Sequence, residues 1–362
     1  MKTVRTCVIG VGRVGAEHAR ILAGLPGSRL VGIHDVDRER GEEIARRLGA
    51  RHFAGLSSLL REAEAAVVAV PTAGHESVAR AALEAGCHVL IEKPLAPTLQ
   101  AADRLLTLAE QRGLHLGVGH VERFNPVLRL AARHLGNPLF VESLRLSPFP
   151  GRGTDVTVVL DLMIHDIDLV LGLVGSSVRS VHAVGVPVVS GSVDIANARL
   201  VFESGAVANI TASRVSAERK RHLRLFQPTG YLSLDLDAGR GEFLRRRQAP
   251  ADPVGDARRQ GVEGPAWAPA SATASGEAAR AVAAVAERGD GVPTGLAGVV
   301  ERLPLIGSGP EPLKVELLSF LRAIRGVSSE LVSAREGRAA LELALRITRE
   351  IEESADVVAA HP

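Results

Sequence analysis

Through the first 120 residues, short apolar runs alternate with longer segments whose apolar residues recur every three or four positions. The short runs are typical of buried strands, and the longer segments are typical of helices that cover a sheet. Their alternation predicts a parallel, doubly wound α/β sheet, because a helix must return the chain to the same edge after each strand. The predicted strands are Thr3–Ile9, Arg29–Ile33, Ala66–Val70, His88–Ile91 and Leu114–Val118, and the predicted helices are Val14–Ala23, Glu76–Ala85 and Thr98–Gln111.

From residue 121 onwards the pattern changes to strands separated by short turns, such as Glu203-Ser-Gly205. Closely spaced strands of this kind favour antiparallel pairing, which leaves one sheet face for helices and the other for water or a second subunit. We therefore predict two domains, 1–120 and 121–362, the second being an α+β domain with a large, mostly antiparallel, open-faced sheet. Its predicted strands are Leu139–Ser147, Ser177–Val189, Val193–Glu203, Ala206–Arg214, Arg221–Gln227 and Gly230–Asp237, and its predicted helices are 126–135, Glu311–Leu321 and Ala334–Glu353.

The segment 238–310 interrupts this second domain. It is rich in Ala, Gly, Pro and Arg, with one helix predicted at Ser275–Glu287. A loop of this length is usually functional or mobile. Its basic runs, Arg245–Arg247 and Arg258-Arg259, could attract a phosphate-bearing substrate, but solvated loop charge is the favoured interpretation.

A further helix, predicted over 161–172, has an unusual distribution of polar residues. At about 100° per residue, Asp161, His165, Asp168 and Gly172 fall on one stripe, and the rest of the helix is apolar except for Asp166. Such a helix is buried almost all round, so its polar stripe must face partners or a wet cleft. Two carboxylates beside an imidazole are suited to moving protons, although a buried structural ion network remains the alternative.

The first predicted strand leads directly into a glycine-rich turn and a helix. In the sequence Gly10-Val-Gly12-Arg-Val-Gly15, the first glycine permits a tight turn, the second lets the backbone approach a pyrophosphate, and the third lets the helix pack on the strand. The phosphates would lie at the helix N-terminus, where free N–H groups favour anions. This order of elements predicts a dinucleotide-binding Rossmann domain. Its predicted cofactor-binding residues are Gly10, Gly12, Arg13, Val14 and Gly15.

An acidic residue follows the second predicted strand at the spacing that this motif requires. Asp35 lies twenty residues after Gly15, where a carboxylate accepts hydrogen bonds from the adenosine ribose hydroxyls. The same carboxylate repels a 2′-phosphate, which predicts NAD as the cofactor rather than NADP. Arg38, three residues further on, could soften that repulsion.

Polar residues also follow the later strands of the first domain. Ligands of an open α/β sheet bind beyond the carboxyl ends of its strands, so these residues are expected at one edge. His75 either contacts the cofactor or caps the helix that it precedes, and Lys93, held by strand backbone, suits a role in proton transfer unless it is simply solvated. The predicted cofactor-binding residues here are Pro71, Thr72, His75, Glu92, Lys93 and Pro94.

Composition adds mainly exclusions. The 43 basic and 41 acidic residues leave a net charge of +2, so we expect neither a nucleic-acid partner nor membrane binding. No apolar run approaches about 18 residues, so no membrane-inserted helix is expected. Cys7 and Cys87 lie in apolar strands without metal-ligand spacing, which favours reduced thiols, a cytoplasmic location and no metal site. His18 is interpreted as a surface or helix-face histidine.

Together, Gly10-Val-Gly12-Arg-Val-Gly15, Glu92-Lys93-Pro94 and Asp161-xxx-His165 resemble the Gfo/Idh/MocA oxidoreductases. The resemblance covers residues 1–236 and returns at 311–345. It implies oxidation or reduction of a secondary alcohol on a sugar, inositol or sugar nucleotide with NAD(P). It also implies that Lys93, Asp161 and His165 are catalytic residues beside the nicotinamide, and that the open sheet face forms a homodimer or homotetramer.

Within the family, the stretches Gly119–Pro126, Asp155–Asp168 and Ala212–Arg214 are most similar to members that oxidise the 3-hydroxyl of UDP-N-acetylglucosamine, which implies a role in lipopolysaccharide biosynthesis. Arginines such as Arg145, Arg152 and Arg214 are candidates for the diphosphate, because a guanidinium matches phosphate oxygens in a fork. Ordinary structural hydrogen bonds are the alternative for Glu122, Arg123 and Asn125. The candidate substrate-binding residues are Lys93, Glu122, Arg123, Asn125, Arg152, Asp161, His165 and Arg214.

Other activities remain open from the sequence. The same fold supports inositol and free-sugar dehydrogenases, and it supports glycoside hydrolases that use bound NAD without net redox change. A protein that binds NAD without turnover is a further alternative, although the presence of Lys93 and His165 disfavours it. Formation of NADH would separate a dehydrogenase from the last two.

Overall fold

A computed structural model describes residues 3–149, 156–246 and 300–360 of the chain. The chain divides into two compact units. Unit 1 consists of Met1–Phe124 and Pro310–Leu343, and unit 2 consists of Asn125–Gly309 and Ala344–Pro362. This division differs from the predicted domains, 1–120 and 121–362, because residues 310–343 return to unit 1.

Unit 1 contains a sheet of six strands, all of which pair in parallel. Their order is β3-β2-β1-β4-β5-β6, and the direction of winding therefore reverses between β1 and β4. The predicted doubly wound sheet is thus confirmed. The strands are β1 Val4–Ile9, β2 Ser28–His34, β3 Arg51–His52, β4 Ala65–Val68, β5 His88–Glu92 and β6 Leu116–Gly119, and the helices between them are α1 Arg13–Gly24, α2 Arg38–Leu48, α3 Leu56–Glu62, α4 His75–Glu84 and α5 Leu99–Arg112.

Local sequence signals begin and end several of these helices. The Asp37 carboxylate accepts from the Arg40 N–H at the start of α2, and Thr98 Oγ1 accepts from the Ala101 N–H at the start of α5. Each of the two side chains satisfies an N–H group that has no partner within its helix. Gly49 follows the end of α2 in the left-handed conformation, which costs glycine little.

Residues 310–343 belong to unit 1 because of how helix α8 (Pro312–Ile324) packs. Leu317 and Phe320 of α8 lie in the same buried cluster as Leu22 and Leu25 of α1 and the loop after it. The amphipathic pattern predicted that α8 would bury one face, but it could not predict which sheet layer would receive that face.

Unit 2 contains an eight-stranded sheet in the order β14-β13-β12-β11-β7-β10-β9-β8. Among the described strands of this second sheet, only β7 and β10 pair in parallel, and the other neighbours are antiparallel, as predicted. The strands are β7 Phe140–Leu146, β8 Val178–Val186, β9 Ile195–Phe202, β10 Val207–Ser213, β11 Lys220–Gln227, β12 Gly230–Asp235, β13 Arg240–Arg246 and β14 Val300–Ile306. The helices are α6 Pro126–Ala131, α7 Ile164–Val174 and the part of α9 (Ala334–Ala360) that follows residue 343.

The two faces of this sheet differ in burial. On β7, Val141, Ser143 and Arg145 are buried, whereas the alternate residues Phe140 and Glu142 are half-buried. Helix α7 covers the buried face beside β7 and β10. The period-2 alternation therefore gives one packed face and one open face, as predicted for an antiparallel sheet.

Both ends of the segment 238–310 depart from the expectation of a long loop. Strand β13 (Arg240–Arg246) pairs with β12, and β14 (Val300–Ile306) pairs with β13, so both ends extend the sheet. The arginines and glycine of β13 weakened the period-2 pattern, which is why the strand was not predicted from sequence. Residues 247–299, including the predicted helix Ser275–Glu287 and the pair Arg258-Arg259, lie outside the described residues.

Candidate functional site

The glycine-rich turn of unit 1 connects β1 to α1 at the point where the sheet order reverses. Gly10 has a φ of +83°, and a Cβ added there would lie 2.8 Å from the Ala69 carbonyl oxygen. A Cβ on Gly15 would lie 1.9 Å from the Gly10 carbonyl oxygen, so α1 can approach the turn only with glycine at this position. At Gly12, by contrast, an added Cβ meets nothing within 4 Å. The turn is therefore tight on its protein side and open on the side where a pyrophosphate would approach.

Helix α1 begins beside this open space. Gly12 stands before its first turn without a side-chain cap, and Arg13 and Val14 are exposed. The first N–H groups of a helix have no intrahelical acceptor, and the helix dipole favours an anion there. The turn and the helix start thus fit the pyrophosphate of a dinucleotide.

Asp35 lies at the end of β2, and both of its carboxylate oxygens are engaged. Oδ2 accepts from the Val11 N–H at 2.7 Å and Oδ1 from the Asp37 N–H at 2.8 Å. The Arg40 guanidinium donates to both oxygens, at 2.7 and 3.2 Å. Burial alone would raise the pKa of Asp35, but the hydrogen bonds from Arg40, Val11 and Asp37 outweigh it and lower the pKa. The carboxylate is therefore ionised and fixed in place.

The arginine beside Asp35 is not the one expected from sequence. Arg38 pairs with Glu42 on the exposed face of α2, and Arg40 pairs with Asp35 instead. The side chain of Arg40 is 43% exposed, so this cation lies beside the carboxylate and still reaches the surface. Any softening of the repulsion toward a 2′-phosphate therefore falls to Arg40.

The turn after β4 carries three of the predicted cofactor residues, which the structure places differently. Pro71 is exposed and Thr72 half-buried, at the start of a short 3-10 turn, Thr72–Gly74. His75 is only 1% exposed, and its ring nitrogens lie 2.8 Å from the Pro94 carbonyl oxygen and 2.9 Å from that of Val70. It does not cap α4, since both ring nitrogens face these carbonyl oxygens. Its geometry joins the loops that follow β4 and β5.

The turn after β5 is held by a residue that the sequence did not single out. His18 of α1 places its Nε2 atom 2.7 Å from Glu92 Oε1, and the His18 ring is fully buried. Of the two interpretations of His18, the surface one is therefore wrong, and His18 lies on the buried face of α1. The signal that was available is its place on the buried face of α1, one turn after the glycine motif. Lys93 is half-buried, and Pro94 is buried.

Two candidate substrate residues of unit 1 are buried among protein groups. Arg123, 4% exposed, donates through Nη1 to Glu336 Oε1 at 2.5 Å. Glu336 also accepts from the Ser333 N–H and hydroxyl. Glu122 is buried in the same 3-10 turn, Val121–Phe124. These contacts favour the structural alternative for this turn.

Asn125, the third residue of that motif, caps helix α6 in unit 2. Its Oδ1 accepts from the Val127 N–H at 3.2 Å, and its Nδ2 donates to the Leu236 carbonyl oxygen at 2.8 Å. An asparagine side chain that bonds the second N–H of a helix is an ordinary N-cap. The observed contacts of Asn125 are therefore those of a helix cap and not of a substrate ligand.

The helix with the polar stripe begins with a π-helical turn, Val159–Met163, before it continues as α7. The Ile164 N–H bonds the Val159 carbonyl, a five-residue step that the sequence did not predict. Such turns are rare and often occur at functional sites. Asp161 and His165 are both half-buried, and Asp168 is buried. Of the charged or imidazole side chains in the stripe, Asp161 and His165 therefore keep part of their surface and Asp168 does not.

Asp166, the residue outside the stripe, forms a buried ion pair. Its carboxylate accepts from Arg145 Nε at 2.6 Å and from Ser143 Oγ at 2.8 Å. Arg145 and Asp166 are 3% and 2% exposed in their side chains. A structural ion pair of the kind that sequence left open therefore exists on α7, at Asp166.

Arg214, predicted to bind the substrate diphosphate, is instead fully buried by its own unit. Its guanidinium donates to Asp194 at 2.9 Å, to the Val156 carbonyl at 2.7 Å and to the hydroxyls of Ser190 and Ser192. With 1% of its surface exposed, it offers a phosphate no free edge, so this assignment is corrected. Arg152, the remaining candidate, lies outside the described residues.

The carboxylate that pairs with Arg214 is itself enclosed. Asp194 Oδ2 accepts three backbone N–H groups, from Val188, Val189 and Ser190, at 2.7 to 2.9 Å. Burial would raise the pKa of Asp194, but these hydrogen bonds, the Ser190 hydroxyl and Arg214 lower it well below its ordinary value. The pair therefore fixes the loop between β8 and β9.

Within the described ranges, no group of three or more His, Cys, Asp or Glu side chains could hold a metal ion. In the same part of the chain, no helix is both long and apolar enough to cross a membrane.

Comparison with known proteins agrees with the geometry of unit 1. Residues 4–120 match the oxidoreductase family with the NAD-binding Rossmann fold, GFO_IDH_MocA, and residues 129–233 match the C-terminal domain of the same family. A UDP-N-acetylglucosamine 3-dehydrogenase from Acidithiobacillus ferrooxidans is 42% identical over 234 residues, which are 64% of this chain and 74% of that protein.

Two further relatives show how far the similarity extends. The solved structure of a UDP-N-acetylglucosamine 3-dehydrogenase from Acidithiobacillus ferrooxidans matches with a TM-score of 0.80 and 32% identity, covering 98% of this chain and 99% of that one. A scyllo-inositol 2-dehydrogenase (NAD(+)) from Bacillus subtilis is 28% identical over 59% of this chain and 68% of its own length. The chain belongs to the GFO/IDH/MocA oxidoreductase family.

Proposed function

We propose that this protein oxidises the 3-hydroxyl of UDP-N-acetylglucosamine to a 3-keto sugar nucleotide, with NAD as the hydride acceptor. The observation that carries the proposal is the similarity to a UDP-N-acetylglucosamine 3-dehydrogenase, at 42% identity in sequence and over 98% of the chain in structure. The inositol dehydrogenases among the relatives are more distant, at 28–35% identity over 49–59% of this chain.

In the proposal, unit 1 binds the cofactor. Gly10, Gly12 and Gly15, with the start of α1, hold the pyrophosphate, and Asp35 accepts hydrogen bonds from the adenosine ribose. The open space at Gly12 and the ionised state of Asp35 support this assignment. We keep NAD rather than NADP as the cofactor, because a fixed carboxylate disfavours a 2′-phosphate. Other proposed contacts come from Arg13, Val14, Pro71, Thr72, Glu92, Lys93 and Pro94.

The proposed catalytic residues are Lys93 of unit 1 and Asp161 and His165 of unit 2. All three side chains are half-buried, which suits groups that must meet a substrate and still be held by the protein. Bound NAD would accept the hydride from the substrate carbon. His165 would take the hydroxyl proton, Asp161 would orient the imidazole, and Lys93 would hold the reacting oxygen as negative charge develops on it. Lys93 is the alternative base.

A substrate panel tests the activity. The purified protein is incubated with NAD and, separately, UDP-N-acetylglucosamine, other UDP-sugars, free sugars and inositols, and NADH is followed by absorbance. We expect NADH only with the UDP-N-acetylhexosamine. Arg145 and Arg214, two candidates for binding the substrate diphosphate, are both engaged in buried ion pairs. A reaction confined to inositol or a free sugar is therefore the contrary result to look for. Such a result would support dehydrogenase activity but would overturn the proposal of a sugar-nucleotide substrate.

Two variants test the catalytic assignment. Positioned acid–base groups typically contribute about 10²–10⁴-fold to rate, so Lys93→Ala and His165→Ala should each lower kcat by that order. The affinity for NAD should stay within about twofold, since the pyrophosphate and ribose contacts are elsewhere. Rate profiles across pH then identify the base: His165 is the base if its loss removes the pH-dependent limb and Lys93→Met does not. Near-normal turnover in either variant would remove that residue from the mechanism.

The open face of the unit 2 sheet suggests the assembly. Phe140, Phe226 and Tyr231 form a row across β7, β11 and β12, with ring centroids 5.6 and 5.2 Å apart. Half-buried aromatics in a row on a sheet surface are typical of an interface. We propose a homodimer or homotetramer through this face, which sedimentation of the protein and of Phe226→Asp would test. A cytoplasmic location and a role in lipopolysaccharide biosynthesis stay predictions from the sequence.

A further inference from the structure

Two buried histidines contact the residues on either side of Lys93. His18 of α1 places Nε2 2.7 Å from the carboxylate of Glu92, and His75 of α4 places Nδ1 2.8 Å from the carbonyl oxygen of Pro94. The two rings are 0% and 1% exposed. The turn that carries Lys93 is thus held from two different helices.

The first contact has a defined donor. Burial alone would raise the pKa of Glu92, but the hydrogen bond from His18 and the charge of Lys93 lower it, so the carboxylate is ionised and can only accept. His18 Nε2 must therefore carry the proton. Its Nδ1 atom is buried and has no hydrogen-bond partner among the described residues. The bond from Nε2 to Glu92 is therefore the contact through which His18 holds the turn.

The second contact has two possible acceptors for one proton. Burial lowers the pKa of His75 against the effect of its two carbonyl neighbours, so the ring is neutral near pH 7 and has a single N–H. The contact to the Pro94 carbonyl is buried, whereas the contact to the Val70 carbonyl, at 2.9 Å, is only partly buried. Water can satisfy a partly exposed carbonyl but not a buried one. The proton therefore belongs on Nδ1, toward Pro94.

The Glu92 side chain also lies beside the neighbouring strand, β6. Glu92 lies opposite Gly119 of β6, and a Cβ on Gly119 would lie 3.2 Å from the Glu92 carboxylate. The carboxylate therefore lies between His18 and the backbone of β6, in space that a side chain at position 119 would narrow.

We propose that His18 and His75 are positioning residues that fix the chain on either side of Lys93 and so fix where its Nζ atom lies. The proposal rests on the catalytic role proposed above for Lys93. Neither histidine touches the reacting atoms, and both act through the turn Glu92–Pro94. A misplacement of about 1 Å can lower a rate by about 10²-fold, so the loss of either contact should be visible in kcat.

Paired substitutions of similar size separate the two contacts of His75. An asparagine amide reaches the position of Nδ1, and a glutamine amide reaches that of Nε2. His75→Asn should keep the bond to Pro94 and retain kcat within about threefold, whereas His75→Gln should keep only the bond to Val70 and lose about 10- to 100-fold. By the same reasoning, His18→Gln should retain activity and His18→Leu should lose it. His88→Gln, at the opposite end of β5, is the control and should leave kcat unchanged.

Two readouts separate positioning from a general loss of structure. The first is the Lys93→Ala background, in which His75→Gln and His18→Leu should have almost no further effect on kcat. The second, independent of activity, is hydrogen–deuterium exchange of a peptide covering Ile91–Ala96 in the protein without substrate. Exchange should rise by about tenfold in His75→Gln and His18→Leu only, with the melting temperature little changed.

The outcomes distinguish the failure of this proposal from that of the proposed function. Unchanged exchange in His75→Gln and His18→Leu, or equal losses of kcat in His75→Asn and His75→Gln, would overturn the positioning role. Raised exchange with unchanged kcat would support the hold on the turn but would refute the catalytic role of Lys93. Losses of kcat that persist in the Lys93→Ala background would also overturn the proposal, since the histidines would then act by another route.

Discussion

Alanine substitutions at two glycines of the same turn should have opposite kinds of effect. Gly12 has extended backbone angles that alanine adopts readily, and an added Cβ there meets nothing within 4 Å. Gly12→Ala should therefore change the free energy of unfolding by less than about 1 kcal/mol. The methyl group would instead occupy the space where a pyrophosphate approaches the backbone. We expect NADH affinity to fall at least tenfold, or about 1.4 kcal/mol.

Gly15→Ala should act first on stability. The added Cβ would lie 1.9 Å from the Gly10 carbonyl oxygen, and Gly10 in turn is closed in by the backbone of Ala69. Because these neighbours are backbone atoms, they have no side chain to move aside. Overpacking of this kind costs about 1–3 kcal/mol, against which alanine regains about 0.5–1 kcal/mol of helix propensity. The net loss should lower the melting temperature by about 2–4 °C for each kcal/mol.

Urea unfolding followed by circular dichroism, and calorimetric titration with NADH, measure the two effects on the same samples. Gly24→Ala is the matched control, because it lies at the end of α1 with nothing within 4 Å of an added Cβ. It should leave both quantities nearly unchanged. If Gly12→Ala binds NADH normally, the pyrophosphate does not approach this residue. If Gly15→Ala unfolds at the unaltered midpoint, the close approach of α1 to the turn is not real.

Three further results are expected. Asp35→Ala should remove the preference for NAD over NADP, and Arg40→Ala should strengthen that preference. Calorimetric titration with both dinucleotides measures the two affinities. Equal affinities in the unaltered protein would contradict the role of Asp35. Arg214→Met should lower the free energy of unfolding in urea by about 3–5 kcal/mol, because it leaves the Asp194 carboxylate buried and unpaired. Arg219→Met, at an exposed pair with Asp237, should lower it by at most about 1 kcal/mol. Because the folded pKa of Asp194 lies below its ordinary value of 3.8, its contribution to stability is complete above that pH and is lost as the pH falls further. Asp194→Asn should therefore flatten the acid limb of stability, and an unchanged limb would contradict this account.

Much of unit 1 could be predicted because its signals are local. The strand before Gly10, the glycines and helix α1 occupy consecutive positions, and each β-α step repeats the same arrangement. Parallel pairing then follows, because each helix returns the chain to the same edge of the sheet. The family indicated by these residues is confirmed by the matches over residues 4–120 and 129–233.

Features that depend on distant partners could not be predicted in the same way. The apolar face of α8 was evident, but its packing on α1 depends on residues almost 300 positions earlier. Strand β13 lacks an alternating pattern because charged residues that pair with β14 interrupt it, as Arg245 does with Glu301 and Glu242 with Arg302. The π-helical turn Val159–Met163 depends on one shifted backbone hydrogen bond, which side-chain periodicity does not record.

The sequence pattern could not distinguish structural polar residues from ligand-binding ones in the apolar helix and strands. Arg145, Arg214 and Asp161 all looked like functional residues, because charge in apolar surroundings needs a reason. For the two arginines that reason is a buried carboxylate, since Asp166 and Asp194 occupy the guanidinium edges that a phosphate would need. Asp161 and His165, half-buried at the π-helical turn, keep a surface that a substrate can reach. Exposure in the folded chain, and not residue type, therefore decides which polar residues can act on a ligand, and it leaves Lys93, Asp161 and His165 as those to test first.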